Sequence, residues 1–227
     1  MILLPPHSVK ICGLREPDHA RAAVAAGADL LGFIFAPARR QVTAEIARMC
    51  IEAARAEAGG RPVLTVGVFV DASIGAMNAT ASEAGLDLLQ LHGDEPPSQL
   101  SRLDRPAIKA LRSPAGTTVA AVEAEIARYR TAIVHPVAWL IDGFREGASG
   151  GEGIRADWAL GAALTKVGPM LLAGGLDASN VAEAIAAVHP IGVDVSSGVE
   201  TDGRKDAAKI AAFVSAAKRA LVSAEVA

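Results

Sequence analysis

Pro169-Met170-Leu171-Leu172-Ala173-Gly174-Gly175-Leu176 and Ile191-Gly192-Val193-Asp194-Val195-Ser196-Ser197-Gly198-Val199 are each a short apolar run that ends abruptly in small residues. Such endings leave the backbone N–H groups after a strand uncovered, free to converge on one anion. Gly174-Gly175 would serve equally in an ordinary tight turn, but two such segments about twenty residues apart read together as a phosphate cradle. In a (β/α)8 barrel the phosphate site commonly lies in the loops after strands 7 and 8. The two stretches therefore suggest both a fold and a substrate class.

Apolar strand-like runs near residues 8–12, 30–35, 63–70, 87–91, 107–111, 137–142, 170–173 and 191–195 alternate with Ala-rich stretches along the whole chain. Segments 17–26, 43–58, 73–84 and 117–130 place Ala, Val, Leu and Ile at helical spacing. This is the pattern of a parallel sheet with helical crossovers. Thr43, Ser73, Asp157 and Asp177 stand where helices should begin, each offering a side-chain oxygen as N-cap. Gly27, Gly59-Gly60 and Gly85 mark helix exits. Eight β-then-α units favour a closed barrel over a doubly wound open sheet, although alternation alone admits both. With no linker to divide it, the expectation is one α/β domain over residues 1–227, a (β/α)8 TIM barrel.

Composition narrows the function class. The chain is 51% hydrophobic but only 4% aromatic, enough to build a sizeable core, and its net charge of −3 is dispersed. No basic stripe follows a nucleic-acid backbone, and no apolar run approaches a membrane span. The expectation is a soluble cytoplasmic protein with neither nucleic acid nor membrane as partner, either monomer or homodimer. The two cysteines, Cys12 and Cys50, make no disulfide framework and no zinc spacing.

In a barrel, chemistry gathers at the C-terminal strand ends. The first strand ends Val9-Lys10-Ile11-Cys12-Gly13, the fourth Gln90-Leu91-His92-Gly93, the sixth Leu140-Ile141-Asp142-Gly143, and the eighth carries Asp194. A side-chain period of two turns Lys10 with Cys12, Gln90 with His92, and Leu140 with Asp142 inward, while Ile11, Leu91 and Ile141 pack outward. Cys50 reads as a small core residue on a helix. Cys12 lies at a strand end two residues from Lys10, whose ammonium would lower the thiol pKa. Asp142 is the carboxylate at the end of the sixth strand and reads as an acid, or as a polar stop. Lys10, Gln90 and His92 are assigned to the substrate-binding lining, with His92 reading equally as a satisfied half-buried histidine. No Asp/Glu/His cluster accompanies His92, so no metal site is expected. Arg39-Arg40 read as surface charges or as a grip on a carboxylate, and Lys109 as a site residue or internal charge balance.

These motifs resemble phosphoribosylanthranilate isomerases along almost the whole chain. The resemblance rests on Lys10-Ile11-Cys12-Gly13, Gly32-Phe33-Ile34-Phe35, Val66-Gly67-Val68-Phe69-Val70, Gln90-Leu91-His92-Gly93, Leu140-Ile141-Asp142, Gly150-Gly151-Glu152-Gly153 with Asp157-Trp158, Ala173-Gly174-Gly175-Leu176 and the run 193–200. It implies a cofactor-free Amadori rearrangement of a phosphorylated aminosugar, N-(5-phosphoribosyl)anthranilate, in tryptophan biosynthesis. Cys12 would be the general base and Asp142 the general acid, so the site should lower the pKa of the first and raise that of the second. Arg40, or else Arg39, would hold the anthranilate carboxylate. Gly174, Gly175, Ser196, Ser197 and Gly198 would hold the phosphate, and Asp194 would orient groups around the sugar. Gln41, Gly143, Glu152 and Ala156 depart from the family pattern, implying altered affinity or loop ordering rather than another reaction.

Overall fold

The computed structural model describes residues 4–113, 116–131, 134, 136–143 and 157–225. Eight parallel strands close a barrel in chain order: β1 (Ser8–Cys12), β2 (Leu30–Ile34), β3 (Leu64–Phe69), β4 (Leu88–Leu91), β5 (Ala107–Ser113), β6 (Ala138–Gly143), β7 (Met170–Leu172) and β8 (Gly192–Val195). Closure is made by β8 against β1, with Lys10 opposite Asp194 and Ile11 opposite Val195. An open doubly wound sheet is thereby excluded.

The outer layer consists of α1 (Pro17–Ala25), α2 (Ala44–Ala58), α3 (Ile74–Ala84), α4 (Val119–Arg130), α5 (Trp158–Leu164), α6 (Val181–Val188) and α7 (Ala207–Glu225). Thr43, Ser73 and Asp157 accept N-cap hydrogen bonds from Ile46, Ala76 and Leu160, as their positions predict. Gly59 and Gly85 close α2 and α3 in the left-handed conformation. Two expectations fail. Between β4 and β5 the chain makes a 3-10 helix, Pro97–Arg102, instead of an α-helix. Pro96 and Pro97 open this short crossover and Pro106 closes it, and three imino residues leave little room for i to i−4 bonding. Asp177 does not cap α6. Its carboxylate accepts from the Ser179 and Asn180 amides, tightening the turn before the helix, and Asn180 occupies the cap position.

The period-two alternation divides the core in two. Leu30, Val66, Leu88, Ile108, Ala110, Ala138, Leu140 and Leu171 fill the barrel, while Ile11, Leu31, Leu91, Ile141, Leu172 and Val193 face the helical layer. Each fully buried large aliphatic side chain stabilises by roughly 1.5–3 kcal/mol. Lys109 sits between the inward Ile108 and Ala110, so it points out of the barrel wall toward the helices and away from the mouth. There it meets Glu95 at 3.1 Å, and both side chains are essentially buried. Among the described residues, no helix is long and apolar enough to cross a membrane.

Candidate active site

β1 ends by delivering Lys10 and Cys12 inward, and its barrel partner β8 delivers Asp194 beside them. Lys10 Nζ lies 3.1 Å from Asp194 Oδ2, with the Lys10 side chain wholly buried. Burial pulls the ammonium toward neutrality, but the charges of Asp194 and then Cys12 more than offset this and leave the Lys10 pKa above its ordinary value. Asp194 Oδ1 is buried with no hydrogen-bond partner among the described residues. That oxygen is an acceptor left over from the Lys10 pair. The expected lowering of the Cys12 pKa is not met: burial pushes the thiol up, and the opposing pull of Lys10 is too small to reverse it. A buried thiol loses more hydration on ionising than one shared ammonium returns.

A second group forms where β4 and β6 end. Gln90 Nε2 lies 2.9 Å from His92 Nδ1, and His92 Nε2 lies 3.5 Å from Asp142 Oδ2. When Nδ1 accepts from the Gln90 amide, the neutral ring carries its proton on Nε2, the side that faces Asp142. Asp142 and His92 both lie close enough to Asp194 to interact with it electrostatically. The two groups therefore share one mouth.

The loops after β7 and β8 meet on the same rim. Gly174 and Gly175 have φ of +89° and +63°, a sharp left-handed reversal after β7. A Cβ on Gly198 would overlap the Leu176 carbonyl oxygen and lie 2.9 Å from its carbon, so only glycine lets the two loops come this close. Ser196 Oγ donates to the Cys12 carbonyl at 3.2 Å, tying the β8 loop to the end of β1. Asn180 Nδ2 donates to the Gly175 carbonyl at 2.8 Å. The proposed phosphate residues, Gly174, Gly175, Ser196, Ser197 and Gly198, are thus brought together.

Arg40 is no ordinary surface charge. Its Nε donates to Glu200 Oε1 at 2.6 Å and its Nη2 to Oε2 at 2.9 Å, and its aliphatic stem lies against Gly13. Arg39, half exposed, donates to the same carboxylate and to the Gly203 carbonyl. Lys205 Nζ joins Glu200 Oε1 at 3.0 Å and the Ser196 carbonyl at 2.8 Å. One carboxylate therefore faces three cations. Burial would push Glu200 up, but the Arg40 hydrogen bonds and the Lys205 charge overcome it and hold the group at about 2. Sequence reading assigned no role to Glu200 or Lys205. The available signal was a lone carboxylate directly after the small-residue loop, in a chain whose Arg39-Arg40 pair needed a counter-ion. Gln41 anchors the β2 loop through its amide to the Phe35 carbonyl at 3.0 Å. Residues 150–153, including Glu152, and Ala156 lie outside the described residues.

Fold and mouth together define the chain as a (β/α)8-barrel enzyme, with titratable and cationic side chains gathered on the rim where the strands end. The sequence profile of the family described as N-(5′-phosphoribosyl)anthranilate (PRA) isomerase matches residues 9–216. The N-(5′-phosphoribosyl)anthranilate isomerase of Roseiflexus castenholzii is 45% identical over 218 residues, spanning 93% of this chain and 98% of the relative. The crystal structure of phosphoribosyl anthranilate isomerase from Thermotoga maritima superposes with a TM-score of 0.79 at 33% identity, covering 93% of this chain and 98% of that one. A structure of the isomerase in complex with reduced 1-(o-carboxyphenylamino)-1-deoxyribulose 5-phosphate superposes with a TM-score of 0.73 at 32% identity, covering 93% of this chain and 98% of that one. The chain belongs to the phosphoribosylanthranilate isomerase family.

Proposed function

We propose that this chain rearranges N-(5′-phosphoribosyl)anthranilate to 1-(2-carboxyphenylamino)-1-deoxyribulose 5-phosphate, with Asp142 as general acid and Cys12 as general base. The observation that carries the reading is the placement of Cys12 at the end of β1 and Asp142 at the end of β6, on one mouth with the adjoining β7 and β8 loops. Asp142 donates a proton to the ribose ring oxygen as the C1′–O bond breaks, giving an iminium at C1′. Cys12, as thiolate, removes the C2′ proton, and the electron pair moves to form an enolamine. Protonation at C1′ and loss of the 2′-hydroxyl proton then yield the ketone, so no net proton is gained or lost.

Lys10 gives the thiolate its counter-charge. In the free protein the ammonium is shared with Asp194, and burial keeps Cys12 protonated. A substrate hydroxyl donating to Asp194 Oδ1 offsets part of that carboxylate's charge and leaves more of the Lys10 field for Cys12. The phosphate rests on Gly174, Gly175 and the 196–198 turn. The anthranilate carboxylate meets Arg40, whose orientation is set by Glu200, with the half-exposed Arg39 beside it. Three cations around one carboxylate leave a net positive rim for a substrate anionic at both ends.

The test is loss of anthranilate-type fluorescence when the protein meets freshly generated phosphoribosylanthranilate. Rapid loss with wild type, and at least a 100-fold slower rate with both Cys12→Ala and Asp142→Asn, is expected. Near-normal turnover in either variant would refute its assigned role.

A further inference from the structure

Outside the barrel wall lies a buried ion pair that the proposed chemistry does not use. Glu95 has a wholly buried side chain, and Lys109, projecting outward from β5, meets it at 3.1 Å. Together they grip the backbone on both sides of His92. Lys109 Nζ donates to the Gly93 carbonyl at 2.6 Å and to the Leu91 carbonyl at 3.4 Å. The Gly93 amide donates to both Glu95 oxygens at 3.0 Å. The His92 amide itself donates to the Phe69 carbonyl at 2.8 Å. Glu95 Oε1 also accepts from the Asp71 amide at 3.0 Å, while Asp71 Oδ1 accepts from the Asp94 amide at 2.7 Å, so the loops after β3 and β4 are locked together. Tyr129 donates its hydroxyl to the Glu95 carbonyl. A Cβ on Gly93 would come 2.7 Å from the Asp71 amide nitrogen, which commits that position to glycine.

This machinery is large for a four-residue turn, and its inner product is one imidazole. Gln90 sets the ring from the Nδ1 side, the ion pair sets its backbone, and Nε2 then faces Asp142 Oδ2 at 3.5 Å. We propose that Glu95 and Lys109 act through His92 to hold the Asp142 carboxyl in its working orientation, making all three positioning residues for the acid. The inference rests on the assignment of Asp142 above and gives His92 a role distinct from lining the substrate. An acid displaced by about 1 Å loses on the order of 100-fold in rate while ground-state binding survives.

The fluorescence assay above is run on wild type, Asp142→Asn, His92→Ala, His92→Gln, Glu95→Gln and the double variant His92→Ala/Glu95→Gln. His92→Ala should lower kcat roughly 10- to 100-fold with KM within about twofold. His92→Gln, whose amide nitrogen reaches the Nε2 position, should recover most of the loss. Glu95→Gln should lower kcat about tenfold alone and no further in the His92→Ala background, because both act through one path. A kcat within twofold of wild type in His92→Ala, a rise in KM alone, or multiplying effects in the double variant would overturn the proposal. Retained turnover in Asp142→Asn would instead refute the acid assignment.

A readout independent of turnover, and still available where Glu95→Gln folds poorly, is the imidazole 15N spectrum of wild type, with His92 assigned by its absence in His92→Gln. Protonation at Nε2 supports the proposal, and a ring protonated at Nδ1 alone overturns it.

Discussion

Replacing Glu200 by Gln should remove a stabilisation that itself depends on pH, and the size of both effects follows from the site. The Glu200 carboxylate is 6% exposed and is held at about 2, against an ordinary value of 4.5, by Arg40 and Lys205. At ~1.4 kcal/mol per pKa unit, that difference amounts to about 3 kcal/mol of stability at pH 7. The folded pKa is depressed, so the contribution is complete above about pH 5 and is lost as pH falls toward 2. By the same linkage it should stand at about 2.5 kcal/mol at pH 4 and about 1.4 kcal/mol at pH 3. Gln has the shape of a protonated Glu, so wild type and Glu200→Gln should converge in acid. Urea denaturation at pH 7, 5, 4 and 3, with equal m values, measures the gap directly. The expected gap is about 3 kcal/mol at pH 7, narrowing by about 2 kcal/mol by pH 3. A gap constant across this range would mean that the carboxylate charge does not stabilise the mouth, and would refute the electrostatic account of Arg40 and Lys205.

Gly198→Ala would drive a Cβ into the Leu176 carbonyl. The β7 and β8 loops would have to separate, so KM should rise more than tenfold with stability reduced by about 1–3 kcal/mol, measured by steady-state kinetics and urea melts; an unchanged KM would detach these loops from phosphate binding. In a Cys50→Ala background, alkylation of Cys12 by iodoacetamide in the free protein should be slow at pH 7 and still climbing above pH 9, because burial raises the thiol pKa. Adding Lys10→Met should slow it further; a rate that levels off below pH 8 would contradict the burial argument. Asp157→Ala removes the cap that accepts from the Leu160 amide at 3.1 Å. It should cost about 1 kcal/mol in denaturation with little change in kcat, and a collapse of kcat at unchanged stability would mean that the helix start serves the chemistry.

Much of this molecule is legible residue by residue. The alternation in Val9-Lys10-Ile11-Cys12 places Lys10 and Cys12 inside the wall and Ile11 outside it, and the structure agrees at all three. Thr43, Ser73 and Asp157 were identifiable caps because a cap bond spans three residues. Asp177 misled for the same local reason: its carboxylate caps the nearest turn, and only the packing of α6 decides that the helix starts later. Lys109 was ambiguous because a lysine within an apolar strand carries no label for which face is the barrel interior. Its partner Glu95 lies fourteen residues earlier, in the crossover that leads into β5. Arg40 and Glu200 are 160 residues apart, and no periodicity links them.

Local sequence suffices for the alternation of strand and helix, the inward set at each strand end, the small-residue turns after β7 and β8 and, through its motifs, the family. These depend on local periodicity and backbone freedom, which act over a few residues. That the sheet closes with Lys10 opposite Asp194, that Glu200 gathers three cations, and that the Glu95–Lys109 pair stands behind His92 is fixed by the folded barrel. It also reversed the expected direction at Cys12. Charge interactions and desolvation depend on distance and burial in space, and those are set when the barrel closes.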